Sequence, residues 1–214
     1  MLHRNQPSGQ FLQPPGLAKI GPESLGLSAG WISRTGETKL PTMIDIRQTS
    51  ALALTFLFLS SGLALAENEP QQIGVYEDWV AYSFNASDGK VCYISSTPKA
   101  SEPKAVKRDP AFFLVTHMPG RKPPVKGEVS TIIGYPFKEG RPVKLMIDSQ
   151  NYEMFSKGDT AWVDNGTDKK VVAAMKSGKS LKVQGTSWRG TQTVDSYSLA
   201  GISAALAAIE ESCK

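Results

Sequence analysis

The sequence contains little cysteine and little histidine. Its 214 residues include two cysteines and two histidines, and only His117 lies after residue 66. One histidine and two distant cysteines give none of the ligand spacings that zinc sites need. The sequence also lacks a G-x-S-x-G elbow, a glycine-rich phosphate loop and a paired-carboxylate motif. We therefore predict no catalytic residue, no cofactor, no metal site and no enzymatic activity.

A hydrophobic run long enough to span a membrane is missing as well. The most apolar stretch, "ALALTFLFLSSGLALA" from Ala51 to Ala66, is shorter than the roughly 20 residues that a transmembrane helix needs. If translation starts at Met43, Arg47 supplies positive charge, the run supplies an apolar centre, and Ala64-Leu65-Ala66 supplies a small-residue cleavage site. We predict that residues 43–66 are a signal peptide cleaved after Ala66. The alternatives are a retained membrane anchor and a buried core helix.

The first 42 residues have no sustained apolar period. They contain six glycines and five prolines, and such a segment cannot bury enough apolar surface to offset the entropy of ordering it. A signal peptide is recognised poorly behind a long disordered segment. We therefore expect residues 1–42 to lie upstream of the true start at Met43, and a genuine disordered extension is the alternative.

The remaining residues, 67–214, form a chain of 148 residues that is large enough for one core. They carry 19 basic and 17 acidic side chains, and this balance is not typical of nucleic-acid binding. We expect no nucleic-acid partner and no transmembrane span in the mature form. Both cysteines belong to this exported part, where an oxidising compartment permits a disulfide. We expect Cys92 and Cys213 to pair, and two independent thiols are the alternative.

Short runs of β-branched and aromatic residues recur between turn signals from residue 73 onward, as in antiparallel sandwiches and barrels. Strands are predicted near Tyr76–Phe84, Val91–Ser96, Phe112–His117, Val129–Tyr135, Val143–Ile147, Tyr152–Phe155, Thr160–Val163, Leu181–Ser187 and Val194–Leu199. The fold class is therefore mainly β, an antiparallel β-sandwich with a short helix and a C-terminal helix.

Two segments depart from the strand pattern. "DKKVVAAMKSGK" predicts a helix of about two turns that is capped by Asp168 and ended by a left-handed Gly178. The tail "GISAALAAIEESCK" predicts a longer helix, because Ile202, Leu206 and Ile209 fall on one face. Cys213 points the same way, so the disulfide would attach this helix to the strand that contains Cys92.

Basic residues are concentrated between positions 99 and 126, where only Glu102 and Asp109 oppose them. If the loops of this region meet at one end of the sandwich, they form a cationic patch for anionic lipid, glycan or an acidic partner. Solubilising loop charge is the alternative. The strand "RGTQT" shows little apolar contrast between its faces, which suits an edge strand or a contact surface. The candidate contact residues are Lys99, Lys104, Lys107, Arg108, Arg121, Lys122, Lys126 and Arg189.

Two other interpretations remain open. Trp79, Trp162 and Trp188 could form a stacking platform for a carbohydrate or lipid ligand, although strand tryptophans are more often buried. His117 could serve an envelope hydrolase if a carboxylate or hydroxyl lay beside it in a cleft. A solvated or hydrogen-bonded histidine is the simpler interpretation.

Several motifs resemble the invasion-associated locus B family of bacterial exported proteins. They are "YEDW", "KVCYISS", "FFLVTHMPGRKPPVKGEVSTIIGYPFKEGRPVKLMID" and, most specifically, "AAMKSGKSLKVQGTSWRGTQTVDSYSLAGISAALAAIEESC". The resemblance runs from about Val75 to Cys213. It implies an immunoglobulin-like β-sandwich with a carboxy-terminal helix, export to the periplasm or outer envelope, and a link to host-cell invasion. It brings no enzymatic residues.

These observations favour a non-enzymatic exported protein whose residues 67–214 bind an envelope or host-surface partner. A carbohydrate- or lipid-binding envelope module is the second hypothesis. Cys92 and Cys213 would be structural in both.

Overall fold

The structure, a computed structural model, describes residues 69–104, 106–164 and 166–214. The predicted signal peptide, its cleavage site and the upstream segment lie outside these residues. Within them, no helix has the length and apolar character needed to cross a bilayer.

In the described residues the chain forms eleven strands and two helices. The strands are β1 (Gln71–Tyr76), β2 (Trp79–Ala86), β3 (Gly89–Ser96), β4 (Ala100–Glu102), β5 (Phe112–Met118), β6 (Val125–Ile132), β7 (Val143–Ile147), β8 (Gln150–Lys157), β9 (Thr160–Val163), β10 (Ser180–Thr186) and β11 (Gln192–Ser198). The helices are α1 (Asp168–Ser177) and α2 (Ile202–Ser212). The prediction of a mainly β fold with a short and a C-terminal helix is confirmed.

All neighbouring strands pair antiparallel in one sheet of order β1-β2-β3-β5-β6-β9-β8-β7-β10-β11-β4. We call β1, β2, β3, β5 and β6 the first layer and the other six strands the second layer. One apolar core joins both layers, with Ile94 and Val115 from the first and Leu145 and Val183 from the second. The sheet therefore folds over so that its two layers pack face to face as a sandwich. The immunoglobulin-like topology stays a prediction.

The terminal helix α2 covers the inner face of the first layer. Ile202, Leu206 and Ile209 are buried in the joint core, as their spacing predicted. The helix begins after Gly201, whose φ of 85° is a conformation that glycine adopts without strain. A Cβ atom at this position would lie 2.0 Å from the carbonyl oxygen of Tyr76. Only glycine therefore lets the helix start so close to the β1–β2 turn.

The predicted bounds of α1 are confirmed, since the helix runs from Asp168 to Ser177 and Gly178 follows it, but the predicted caps are wrong. Thr167 precedes the helix, and no side chain caps it. The buried Asp168 carboxylate instead accepts a 2.9 Å hydrogen bond from the backbone N–H of Val129 in β6. Gly178 is extended, with φ −85° and ψ 172°, because the chain passes directly into β10.

Two strand predictions also need correction. The predicted Tyr76–Phe84 strand runs across a turn, because the chain reverses at Glu77, which has a positive φ of 52°. Its residues from Trp79 onward form β2, and β1, which folds back on β2 and ends at Tyr76, was missed. Strand β4 was missed because its three residues carry no apolar pattern. It forms on the backbone ladder of β11, which is therefore paired on both sides and is not an edge strand.

Candidate contact surfaces

The predicted disulfide is present. Cys92 in β3 and Cys213 directly after α2 are bonded, with Cα atoms 6.0 Å apart and 121 positions between them in sequence. Cys92 is fully buried, and both cysteines belong to the joint core. The bond therefore holds the end of the last helix against the centre of the first layer.

Arg108 is not the exposed contact residue that was predicted. Its Nη1 atom donates to a carboxylate oxygen of Asp195 at 2.8 Å and to the carbonyl oxygen of Ile133 at 2.9 Å. Its Nη2 atom contacts the other Asp195 oxygen and, at 2.9 Å, the Ser101 hydroxyl. The side chains of Arg108 and Asp195 are 10% and 0% exposed. Burial alone would lower the pKa of Arg108, but Asp195 raises it overall.

This ion pair explains the unusual polarity of β11. Thr193 and Asp195 face inward with Tyr197, and the Thr193 hydroxyl lies 2.5 Å from the Tyr135 hydroxyl. Ser101 of β4 donates to Asp195 at 2.7 Å. The "RGTQT" region therefore leads into a strand whose polar residues Thr193 and Asp195 form buried hydrogen bonds.

Three other predicted contact residues form ion pairs at the surface. Lys99 pairs with Asp78, Arg121 pairs with Asp88 at 3.1 Å, and Lys126 pairs with Glu210 at 2.5 Å. The exposed contact residues outside these pairs are Lys104, Lys107, Lys122 and Arg189.

The two basic loops do not meet. Lys104 and Lys107 precede β5, whereas Arg121 and Lys122 follow it. This strand is seven residues long, so its two ends lie about 20 Å apart at the usual strand rise. The condition for a single cationic patch is therefore not met, and the positive charge is divided between opposite ends of the first layer.

A second apolar cluster lies on the outer face of the first layer. Because side chains alternate along a strand, Tyr93 points away from its inward neighbours Cys92 and Ile94, and Leu114 points away from Phe113. We call this cluster the outer face. Its buried members are Phe84, Val91, Tyr93, Leu114 and Met118, and its partly buried members are Tyr82, Ala86, Phe112, Val125 and Ile132.

The described members of the outer face all belong to β2, β3, β5 and β6. Tyr82 and Tyr93 stack with ring centroids 5.1 Å apart, and Phe84 meets Tyr93 edge-on at 6.4 Å. Tyr93 is 1% exposed. The buried members of the outer face are therefore packed within this chain, whereas Tyr82, Phe112 and Ile132 are only partly buried.

The centre of the outer face also contains an unsatisfied polar group. The Tyr93 hydroxyl is buried and has no hydrogen-bond partner among the described residues. Burial raises the pKa of Tyr93, so this hydroxyl stays protonated and able to donate. A buried polar group without a partner costs free energy. The Tyr197 hydroxyl of the joint core is likewise buried without a partner among the described residues.

Sequence reasoning missed the outer face, although a signal for it exists. "AFFLVTHM" and "KVCYISS" are continuously apolar or small rather than alternating, and β3 is buried at six successive positions from Val91 to Ser96. Such runs indicate strands buried on both faces. They were interpreted only as sandwich strands with one buried face.

His117 has a structural hydrogen bond. It is buried at the end of β5, and its Nδ1 atom accepts a 3.0 Å hydrogen bond from the backbone N–H of Gly127. Burial lowers the pKa of His117, with a smaller contribution of the same sign from Lys126. The imidazole is therefore neutral near pH 7, and its Nδ1 lone pair is occupied.

The three strand tryptophans do not form a common platform. Trp79 is fully buried, and its indole N–H donates to the Ser198 carbonyl oxygen at 3.1 Å. Trp162 is buried and stacks with Phe155 at 5.7 Å. Trp188, in the turn between β10 and β11, is 58% exposed. Trp188 is therefore the tryptophan among the three that presents its ring to a ligand.

The fold and these surfaces define a class of protein: a small, mainly β domain whose terminal helix is attached to the sheet by a disulfide. The sequence model of the Invasion associated locus B (IalB) protein family matches residues 79–210. This match spans more than half of the chain, so the chain belongs to that family, and the resemblance seen in the sequence is confirmed.

The chain is also similar to a solved structure, the crystal structure of invasion associated protein B from Bartonella henselae. The two share 20% identity with a TM-score of 0.46, and the similarity covers 67% of this chain and 99% of that chain. No curated protein matches the chain.

Proposed function

We propose that the chain is an exported, non-enzymatic envelope protein that binds a partner protein through its outer face. Export, with removal of the signal peptide after Ala66, would place residues 67–214 in the periplasm or at the cell surface. A part in host-cell invasion is proposed from the description of the family. The outer face is the observation that carries the proposal.

Part of the outer face is accessible at the surface. Tyr82, Phe112 and Ile132 are only partly buried, and they pack against the buried members of the same cluster. Contiguous apolar surface marks interaction sites in soluble proteins. Tyrosine is also enriched among the residues that carry binding energy at interfaces, so Tyr82 is the member of the outer face best suited to contact a partner.

Export is supported by the composition of the leader and by the disulfide, which forms and persists in oxidising compartments. We expect protein recovered from the periplasm to have the mass of residues 67–214 less two hydrogens. It should gain two alkyl groups only after reduction. Retention of residues 43–66 or a cytoplasmic location would contradict the export half of the proposal.

Partner binding is tested by photocrosslinking in the native bacterium. A benzophenone amino acid replaces Tyr82, which is half-buried on the outer face, or Lys182, which is exposed on β10 in the second layer. We expect a discrete crosslinked product of fixed mass from position 82 and none from position 182. Retention of the Cys92–Cys213 disulfide verifies that each variant is folded.

The absence of a discrete product at position 82 would contradict partner binding through the outer face. The same product from both positions would also contradict it, because position 182 lies on the other layer.

The second candidate function, a carbohydrate- or lipid-binding envelope module, is favoured by one different feature. Trp188 presents its ring to solvent with the Arg189 guanidinium 4.7 Å from the ring centroid. This pair is separate from the outer face.

A further inference from the structure

The turn between β10 and β11 presents an aromatic ring and a cation together. Trp188 is 58% exposed, and the Arg189 guanidinium carbon lies 4.7 Å from its ring centroid. This distance is typical of a cation–π contact, which holds the two side chains as one unit. Arg189 makes no ion pair with any described residue, so its charge is available to a ligand.

The backbone under this pair is held firmly. The N–H of Gly190 donates to the carbonyl oxygen of Ser187 at 2.7 Å, and the N–H of Thr191 donates to the Ser187 hydroxyl at 3.2 Å. The N–H of Trp188 itself donates to the carbonyl oxygen of Pro136 at 2.9 Å. Trp188 is therefore exposed on an ordered turn that is attached to the neighbouring loop.

That neighbouring loop adds positive charge. The N–H of Lys138 donates to the carbonyl oxygen of Thr186 at 2.8 Å, which brings residues 136–142 alongside the turn. Lys138 and Arg141 are exposed, and neither forms an ion pair within the described residues. Glu139 is the acidic residue of this loop. We call Trp188, Arg189, Lys138 and Arg141 the Trp188 tip.

We infer that the Trp188 tip docks the protein onto an anionic lipid bilayer surface. Tryptophan favours the boundary between water and hydrocarbon, where its ring is buried and its N–H stays hydrated. Clustered lysine and arginine side chains are attracted to anionic headgroups. This inference narrows the second candidate function to one ligand class, and it holds or fails independently of the outer face.

The first layer offers a matched comparison. Its hairpin loop also exposes arginine and lysine, at Arg121 and Lys122, but Arg121 is paired with Asp88 and residues 119–124 contain no aromatic residue. Positive charge on a loop is therefore common to both sites, and the exposed tryptophan belongs to the Trp188 tip alone.

The test is sedimentation of processed protein with vesicles of phosphatidylglycerol and phosphatidylcholine, or of phosphatidylcholine alone. We expect binding to the anionic vesicles that weakens as salt rises. Trp188→Ala should reduce this binding at least tenfold, and Arg189→Gln should reduce it less. The control Arg121→Gln should leave it unchanged.

Fluorescence gives a second readout, because Trp79 and Trp162 are buried. Emission that iodide quenches should come from Trp188, and anionic vesicles should protect it. The inference is overturned if anionic vesicles do not bind, if neutral vesicles bind equally, or if Trp188→Ala binds like the parent protein. None of these outcomes bears on crosslinking at position 82.

Discussion

In the first layer, the two faces of strands β2, β3, β5 and β6 differ in what packs against them. On the inner face, Cys92, Ile94 and Val115 pack against the second layer and α2, and the disulfide joins strand and helix. On the outer face, Tyr93 and Leu114 form a cluster whose described members all lie within one layer. The inner face is covered by the second layer and α2, whereas several members of the outer face, among them Tyr82 and Ile132, remain partly exposed.

Unsatisfied polar groups do not separate the two faces. The buried hydroxyls of Tyr93 on the outer face and of Tyr197 in the joint core both lack a hydrogen-bond partner among the described residues. The faces differ in exposure, because Tyr82, Phe112 and Ile132 of the outer face are only partly buried. We therefore assign stability to the inner face and recognition to the outer face. Variants of each face can test this division.

The largest expected effect is on the inner face, from Cys92→Ser combined with Cys213→Ser. The bond closes a loop with a sequence separation of 121 residues. On the chain-entropy model, its loss should lower the free energy of unfolding by about 4–5 kcal/mol. Urea denaturation of the processed protein measures this change, with the reduced parent protein as the control. A loss below about 1 kcal/mol would show that the helix is attached mainly by packing.

The next effect concerns the buried ion pair. Arg108→Ala leaves the Asp195 carboxylate, 0% exposed, without its counter-charge. Removing one partner of a buried pair costs about 3–5 kcal/mol, whereas replacing both by apolar residues is often neutral. We expect a loss of this size for Arg108→Ala, and a much smaller loss for Arg108→Met combined with Asp195→Leu. Equal losses in urea denaturation would contradict this assignment.

A smaller effect is the pH dependence from His117. Its folded pKa is lowered below the ordinary value of 6.5 by burial, so the unfolded chain binds the proton more readily. Its contribution to stability is therefore complete above pH 6.5 and declines as the pH falls below it. The difference in unfolding free energy between the parent protein and His117→Gln should shrink between pH 7 and pH 5. A difference that does not change with pH would contradict the neutral, buried state.

The spacing of apolar residues within a segment was enough to predict the strands and the helix in which this spacing is regular. The strands Val143–Ile147 and Thr160–Val163 have the predicted bounds, and the inward side of the terminal helix was read from Ile202, Leu206 and Ile209. The pairing of Cys92 and Cys213 followed from compartment and number. The strands and the helix depend on side-chain spacing within one segment, which the sequence gives directly, whereas the disulfide could be predicted because the chain has only two cysteines.

Features that depend on distant neighbours could not be predicted in this way. Arg108 was read as an exposed loop cation, but Asp195 lies 87 positions away and meets it only after the second layer forms. Strand β4 exists because β11 offers it a backbone ladder. The separation of the two basic loops, by contrast, was predictable, because the predicted strand Phe112–His117 lies between them.

The most direct test of the division between the faces is a pair of leucine substitutions in the processed protein. Leu145, fully buried on the inner side, and Leu114, on the outer face, are both changed to alanine, and the two unfolding free energies are compared. Leu145→Ala should cost about 3–5 kcal/mol. Leu114→Ala should cost less, about 2 kcal/mol, because Leu114 lies in the smaller cluster, whose other members are in part exposed. An equal or larger cost for Leu114→Ala would contradict the division of stability and recognition between the two faces.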